Sequence, residues 1–136
     1  MQNKYFYILA IIIPLMWVGC AGKDKKSKDL TKALTEMADD LNKLSPTQLD
    51  ENTLFLGAEV TSDNKFKYLY QIINIENPES LMDNVEVQTR SNIREAFKIN
   101  PGLKIFTDNM VLIDYIYHNE QGDVIRTIHV TPKDYK

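Results

Sequence analysis

The sequence predicts one small α+β domain in which helices cover an antiparallel sheet. Residues 30–44 and 79–98 each carry apolar side chains at helical spacing on one face. After each of these helices come two segments with the alternation or the β-branched and aromatic content of strands. The order is therefore helix, two strands, helix, two strands, which is typical of an α+β fold. The four predicted strands are residues 54–60, 66–75, 110–118 and 124–131.

The first half of the domain begins with the helix over residues 30–44. Asp29 is a suitable N-cap, and Ser45-Pro46 ends the helix because proline cannot continue it. The residues that follow Pro46 form a predicted turn region. Residues 54–60 and 66–75 then form a strand pair joined by a polar turn.

The second half repeats this plan. Asn77-Pro78 ends the second strand, and Asn100-Pro101-Gly102 ends the second helix. Residues 103–106 suit a short helical turn, and residues 119–123 link the last two strands as a hairpin. Both faces of residues 110–117 are largely apolar, so this strand is either central and covered on both sides or presents its open face to a partner.

The N-terminus has the pattern of an export signal. Lys4 precedes an apolar and aromatic run from residue 5 to residue 18, interrupted by Pro14. A helix of this length spans about 21 Å, less than the roughly 30 Å hydrocarbon core of a bilayer. The run therefore predicts a secretory signal peptide and not a transmembrane helix.

The end of this run, Val18-Gly19-Cys20, resembles the lipobox of bacterial lipoproteins, although Trp17 stands where that family prefers leucine or another aliphatic residue. The resemblance implies cleavage between Gly19 and Cys20, diacylglycerol on the thiol and an acyl chain such as palmitate on the freed amine. We therefore expect a lipoprotein signal peptide over residues 1–19. Residues 20–29 would be the lipidated cysteine and a charged tether, and residues 30–136 the α+β domain. The alternative is a free cysteine buried at the end of a hydrophobic helix.

The charge of the chain argues against nucleic-acid binding. The sequence has 19 acidic and 16 basic residues and a formal net charge of −3. Basic residues concentrate beside Cys20, which leaves the rest of the domain more acidic and without a basic face. This basic cluster consists of Lys23, Lys25, Lys26, Lys28 and Lys32.

Several short motifs follow one another in a characteristic order along residues 44–136. They are Asp50-Glu51-Asn52-Thr53, Lys67-Tyr68-Leu69-Tyr70, Asn100-Pro101, Tyr115-Ile116-Tyr117, Gln121-Gly122-Asp123 and Thr131-Pro132-Lys133-Asp134-Tyr135. This pattern resembles a group of small uncharacterised exported α+β bacterial proteins. The resemblance implies two cysteines at the positions of Lys98 and Tyr135, paired in a disulfide in the relatives. Packing would have to supply that link in this chain.

The sequence offers little for catalysis. His118 and His129 could approach each other across the last hairpin, but a metal would need further ligands from Asp114, Glu120 or Asp123. The serines lack a nucleophile-elbow motif, and adjacent acids on a helix point apart. We expect no enzymatic activity, no bound metal and no cofactor.

The aromatic residues suggest where the protein makes contacts. Tyr68, Tyr70, Tyr115 and Tyr117 should lie together on the sheet, either as core beneath helices or as an interaction surface. We predict a lipid-anchored, non-catalytic accessory subunit of an envelope complex, at the cell membrane or outer membrane, with its domain in the periplasm or on the cell surface. Its partners would be the bilayer, through acylated Cys20, and an envelope protein, with self-association left open. The alternative is an inhibitor or immunity-type protein that neutralises a toxin or a lytic enzyme.

Overall fold

A computed structural model describes the backbone of residues 21–136 and the side chains from residue 25 onward. It confirms a single α+β domain, in which helices pack on a five-stranded sheet. The signal peptide over residues 1–19 and the lipid attachment at Cys20 lie outside the described residues. The elements are α1 (Ala21–Lys43), β1 (Thr47–Asp50), β2 (Thr53–Val60), β3 (Phe66–Ile72), α2 (Met82–Ile99), α3 (Lys104–Asn109), β4 (Ile113–His118), β5 (Val124–Val130) and α4 (Pro132–Tyr135).

The strands lie side by side in sequence order, from β1 to β5. Every neighbouring pair is antiparallel except β3 and β4, which run parallel with Tyr68 beside Tyr115. The expectation of a wholly antiparallel sheet is wrong for this central pair. Along the chain, helices α2 and α3 lie between β3 and β4. They bring the chain back to the end of the sheet at which β3 begins, as a parallel pair of strands requires.

The sequence does not predict strand β1 (Thr47–Asp50), because its residues lie in the expected turn region after Pro46. All four of its residues are exposed, so it shows no alternation of apolar and polar side chains. It pairs with β2 through a register that shifts between Gln48 and Asp50. Backbone pairing therefore defines this strand, and the side-chain pattern does not.

Helix α1 begins at Ala21, several residues before the expected N-cap Asp29. The charged residues expected to form an irregular tether are therefore helical from Ala21 onward. Lysine and alanine favour helix, and the hydroxyl of Thr31 adds a hydrogen bond to the carbonyl of Ser27. The division of the chain into a leader, an anchor segment and a domain remains a prediction.

The buried core joins the helices to one face of the sheet. Leu34 of α1, Met82 of α2 and Phe106 of α3 are fully buried together with Phe66 and Ile113 of the sheet. The rings of Phe66 and Phe106 meet edge to face with their centroids 5.2 Å apart. Burial of each such side chain stabilises the fold by about 1.5–3 kcal/mol.

Strand β4 begins at Ile113, later than the expected strand over residues 110–118. Met110 and Leu112 therefore lie in the connection from α3 and are both exposed. Because β4 lies between β3 and β5, its residues Ile113, Tyr115 and Tyr117 share the core-facing side. The predicted strand has a second apolar face largely because it includes Met110 and Leu112, which lie outside β4.

An asparagine joins α1 to the edge of β2 beyond the end of β1. The Asn42 amide accepts a hydrogen bond from the backbone N–H of Ala58 at 2.7 Å and donates one to its carbonyl at 2.9 Å. Gly57 precedes this contact with φ +144°, and a Cβ there would lie 2.6 Å from the Asn42 Oδ1 atom. Only glycine suits this close approach.

Candidate functional site

The four tyrosines expected to form either core or an interaction surface lie in one row on the core-facing side of the sheet. The parallel register of β3 and β4 places Tyr68 beside Tyr115 and Tyr70 beside Tyr117. Each of these two pairs stacks with ring centroids 5.0 Å apart and 18° between the planes. Tyr70 and Tyr115 stack across the row at 6.2 Å. We call these four residues the tyrosine ladder.

The ladder is largely covered. Tyr117 is only 7% exposed, and the other three are half-buried. Burial raises the pKa of Tyr68, Tyr70 and Tyr115 above the ordinary tyrosine value. Burial also raises the pKa of Tyr117, although its hydroxyl lies 3.4 Å from the Thr89 hydroxyl. All four hydroxyls are therefore neutral near pH 7, and each can donate a hydrogen bond.

Part of the ladder forms the floor of an open groove of about 420 Å³. Tyr70, Tyr115 and Tyr117 line it, whereas Tyr68 does not. We call it the tyrosine groove. Its other lining residues are Leu49, Asp50, Thr53, Ile72, Val85, Gln88, Thr89, Asn92, Ile93, Ala96, Phe97 and Leu103.

Helix α2 and strand β1 form the two walls of the tyrosine groove. On α2, Ile93 is buried and Val85 and Phe97 pack against the core, while Gln88 and Asn92 are exposed at the rim. Opposite them, β1 contributes Leu49 and Asp50. Leu49 is 56% exposed, which leaves an apolar side chain facing solvent at the edge of an aromatic groove.

The groove continues into a second cleft that shares Asp50, Thr53, Ile72 and Val85 with it. This cleft adds the apolar side chains of Ile75 and Leu81. Among the described residues that line the groove and the cleft, the charged ones are Asp50 and Glu51. The combined surface is therefore aromatic and aliphatic with an acidic edge.

The groove walls could not be recognised from the sequence. Residues Leu49 and Asp50 belong to a strand without a side-chain pattern, and Gln88 and Asn92 look like ordinary polar positions of an amphipathic helix. The tyrosines were predicted because they alternate along two strands. Only the order of the strands shows that α2 and β1 border them.

The two histidines lie apart on the sheet. His118 contacts the carbonyl oxygen of Tyr70 through its Nδ1 atom at 2.9 Å. His129 pairs with Asp114, with Nδ1 and Oδ1 2.7 Å apart, and Lys65 lies 3.5 Å from the same carboxylate. Within residues 21–136, no three His, Cys, Asp or Glu side chains come together in a way that could hold a metal.

None of the helices within residues 21–136 combines the length and the apolar character that crossing a membrane requires.

A family model described as "Domain of unknown function (DUF8479)" matches residues 29–125. This match covers α1 from Asp29 onward, the whole tyrosine ladder and both walls of the groove. Comparison with curated protein sequences finds no match.

Three solved structures share the fold. A protein of Pseudomonas aeruginosa that is provisionally assigned as secreted is 16% identical, with a TM-score of 0.65 over 80% of this chain and 95% of that one. The type II secretion system pilotin AspS from Vibrio cholerae is 15% identical, with a TM-score of 0.61 over 83% and 98%. The type 2 secretion system pilotin EpsS from Vibrio vulnificus is 14% identical, with a TM-score of 0.59 over 83% and 97%. At these identities the likeness is one of fold.

Proposed function

Since the chain belongs to the DUF8479 family, whose description gives no activity, we propose a function from the tyrosine groove and the sequence. We propose that the protein is a lipid-anchored, non-catalytic accessory subunit of an envelope complex. Its fold resembles two pilotins of type II secretion systems, which supports a pilotin-like role in such a complex. The fold alone does not carry this proposal, because one fold serves many functions. The tyrosine groove carries it.

The tyrosine groove has the composition of a protein-binding surface. Aromatic residues are enriched at the centres of interfaces, where their large faces bury area at low entropic cost and their hydroxyls keep a polar contact. Tyr70, Tyr115 and Tyr117 form such a floor, and the exposed Leu49 extends the apolar surface to the rim. The groove therefore suits a segment of a protein partner better than a reaction centre.

The chemistry of the groove specifies that segment further. The apolar floor favours aliphatic or aromatic anchors, and the acidic edge formed by Asp50 and Glu51 favours a nearby lysine or arginine. The exposed amides of Gln88 and Asn92 on α2 can donate to and accept from the partner's backbone. The partner segment is therefore apolar with a basic residue at one end.

The anchor completes the proposal. Acylated Cys20 would hold the protein at the cell membrane or outer membrane, with the domain in the periplasm or on the cell surface. Helix α1 starts at the next residue, Ala21, so little chain would separate the lipid from the domain. The tyrosine groove would then belong to a domain held at the bilayer, where envelope complexes assemble.

Affinity capture of the intact chain from cross-linked membranes tests this function. Asn92→Arg places a long cation in the groove, while Ser91→Arg adds the same side chain at an exposed neighbouring position outside it. We expect the wild type and Ser91→Arg to retain the same component of an envelope assembly and Asn92→Arg to lose it. Equal capture by both variants would contradict the groove as the binding site.

The same experiment separates the two classes of function. An accessory subunit copurifies with several components of one assembly. An inhibitor or immunity-type protein instead retains a single basic enzyme, whose activity falls when the proteins are mixed. That second outcome would replace the accessory role.

A further inference from the structure

Two exposed apolar side chains lie at the end of the domain where α1 begins. Met110 is 62% exposed and Leu112 is 45% exposed, while Val111 between them is buried. Met110 ends α3 in the left-handed region with φ 51°, which turns the chain sharply toward β4. The two side chains therefore face outward from a firmly held connection.

This connection lies against the start of α1. Met110 lines a cleft of about 300 Å³ together with Lys26, Ser27 and Leu30 of α1, and with Asn64, Asp108 and Asn109. The turn between β2 and β3 fastens the same place, because the Asn64 side chain hydrogen-bonds with Ser27 and Thr31. Met110 and the first turns of α1 thus form one continuous surface, and Leu112 follows Met110 by two residues at the same end of the domain.

That surface is basic on its α1 side. Lys25, Lys26 and Lys28 are exposed, and no carboxylate among the side chains described from residue 25 onward lies within 4 Å of their ammonium groups. The chain as a whole carries a net charge of −3. Asp108 lines the same cleft, so the three lysines outnumber the acidic side chains among its lining residues. Exposed apolar side chains beside an excess of lysines are the composition of a surface that meets anionic lipid.

The position of this surface relative to the expected anchor is also favourable. Lys26 lies five residues after Ala21, a rise of about 7.5 Å along the helix. A lipid chain on Cys20 would therefore hold the lysines and Met110 within reach of the head groups.

We propose that the domain docks on the bilayer through this end, with Met110 and Leu112 in the interfacial region and the three lysines on anionic head groups. This inference rests on the proposed function in one respect, the acylation of Cys20. Docking orients the domain: it fixes which surfaces face the lipid, and it leaves the tyrosine groove for the protein partner.

A pair of tryptophan variants tests the docking. Trp17 is the sole tryptophan of the sequence and precedes the predicted cleavage site, so Met110→Trp adds the only tryptophan after residue 19. Val87→Trp is the control, because Val87 is 69% exposed on α2. The intact proteins are reconstituted in vesicles with brominated acyl chains, with phosphatidylglycerol or with phosphatidylcholine alone. We expect several-fold stronger quenching of Met110→Trp than of Val87→Trp, and less of it without phosphatidylglycerol.

Mass spectrometry of the same samples distinguishes the two proposals. Equal quenching of both variants in a protein that carries lipid on Cys20 overturns the docking and leaves the anchor intact. Absence of lipid on Cys20 overturns the anchored function. If the unlipidated variants are then mixed with the same vesicles and Met110→Trp and Val87→Trp are quenched equally, the docking is overturned too. A blue shift of Met110→Trp in native membranes without lipid quenching would assign the surface to a protein partner and also overturn the docking.

Discussion

Phe97 and Tyr135 stack with their ring centroids 4.6 Å apart and 16° between their planes. The Tyr135 hydroxyl donates a hydrogen bond to the Val111 carbonyl at 2.8 Å, and it also lies 3.3 Å from the Phe106 carbonyl. These contacts fasten α4 to the end of α2, beside Lys98. The resemblance to small exported proteins predicts a disulfide between positions 98 and 135 in those proteins, and we expect this aromatic packing to take its place here.

The first prediction concerns this link. Tyr135→Ala should destabilise the protein by about 3–5 kcal/mol, since it removes a buried aromatic side chain. Tyr135→Phe keeps the stack and should cost only about 1 kcal/mol for the lost hydrogen bond. Urea unfolding of the three proteins measures both values. Similar losses in the two variants would mean that the hydroxyl, and not the stack with Phe97, holds α4.

The second prediction is a loss of stability at alkaline pH. Burial raises the pKa of Tyr68, Tyr70 and Tyr115 in the folded state, while in the unfolded chain each returns to about 10. The folded state therefore favours the protonated hydroxyls. This contribution is complete below about pH 10 and decreases as the pH rises further.

Denaturant unfolding over a pH series checks this dependence. Tyr115→Phe removes one of the titrating hydroxyls and should show a shallower alkaline decline than the wild type. In a protein cleaved before Cys20, which lacks Tyr5 and Tyr7, the absorbance of tyrosinate should rise only when the protein unfolds. Tyrosinate formation by these residues near pH 10 in the folded protein would show that the ladder is open to water.

The third prediction tests the joint between α1 and the sheet. Asn42→Ala removes both hydrogen bonds to Ala58 and leaves its N–H and carbonyl without these partners. We expect a loss of about 1–2 kcal/mol. Asn84→Ala, at an exposed position of α2, is the matched control and should change the unfolding free energy by less than about 0.5 kcal/mol. Equal losses of unfolding free energy in Asn42→Ala and Asn84→Ala would show that the hydrogen bonds between Asn42 and Ala58 do not stabilise the fold.

The fourth prediction concerns the anchor. Cys20→Ser removes the thiol that the lipobox requires, so radiolabelled palmitate should no longer be incorporated and the protein should leave the membrane fraction. Lys28→Gln keeps Cys20 and should still be labelled. Persistence of the label in Cys20→Ser would refute the lipoprotein assignment.

The elements with strong side-chain periodicity could be predicted from the sequence. Helix α2 and strands β2, β3 and β5 lie close to their expected positions, because each has one buried face that sets its period. Strand β1 has none, so its pairing with β2 decides its conformation. The parallel pairing of β3 and β4 also depends on tertiary contacts, since alternation within a strand is the same for either direction.

Part of the candidate site could also be predicted from the sequence, and the rest depends on tertiary contacts. The tyrosine ladder could be predicted because Tyr68 and Tyr70 alternate on one strand and Tyr115 and Tyr117 on another. Its role as the floor of a groove depends on where α2 and β1 pack. The sequence around Asn92 and Leu49 does not indicate that these two residues line the groove.

Photo-crosslinking in living cells tests the central claim that the tyrosine groove binds an envelope partner. A photoreactive amino acid replaces Gln88, which lines the groove, and Ser91, which is exposed beside it on the same helix. We predict that position 88 forms an adduct with one component of an envelope assembly, that position 91 does not, and that the adduct is lost in Asn92→Arg. An adduct at position 91 and none at position 88 would contradict the account.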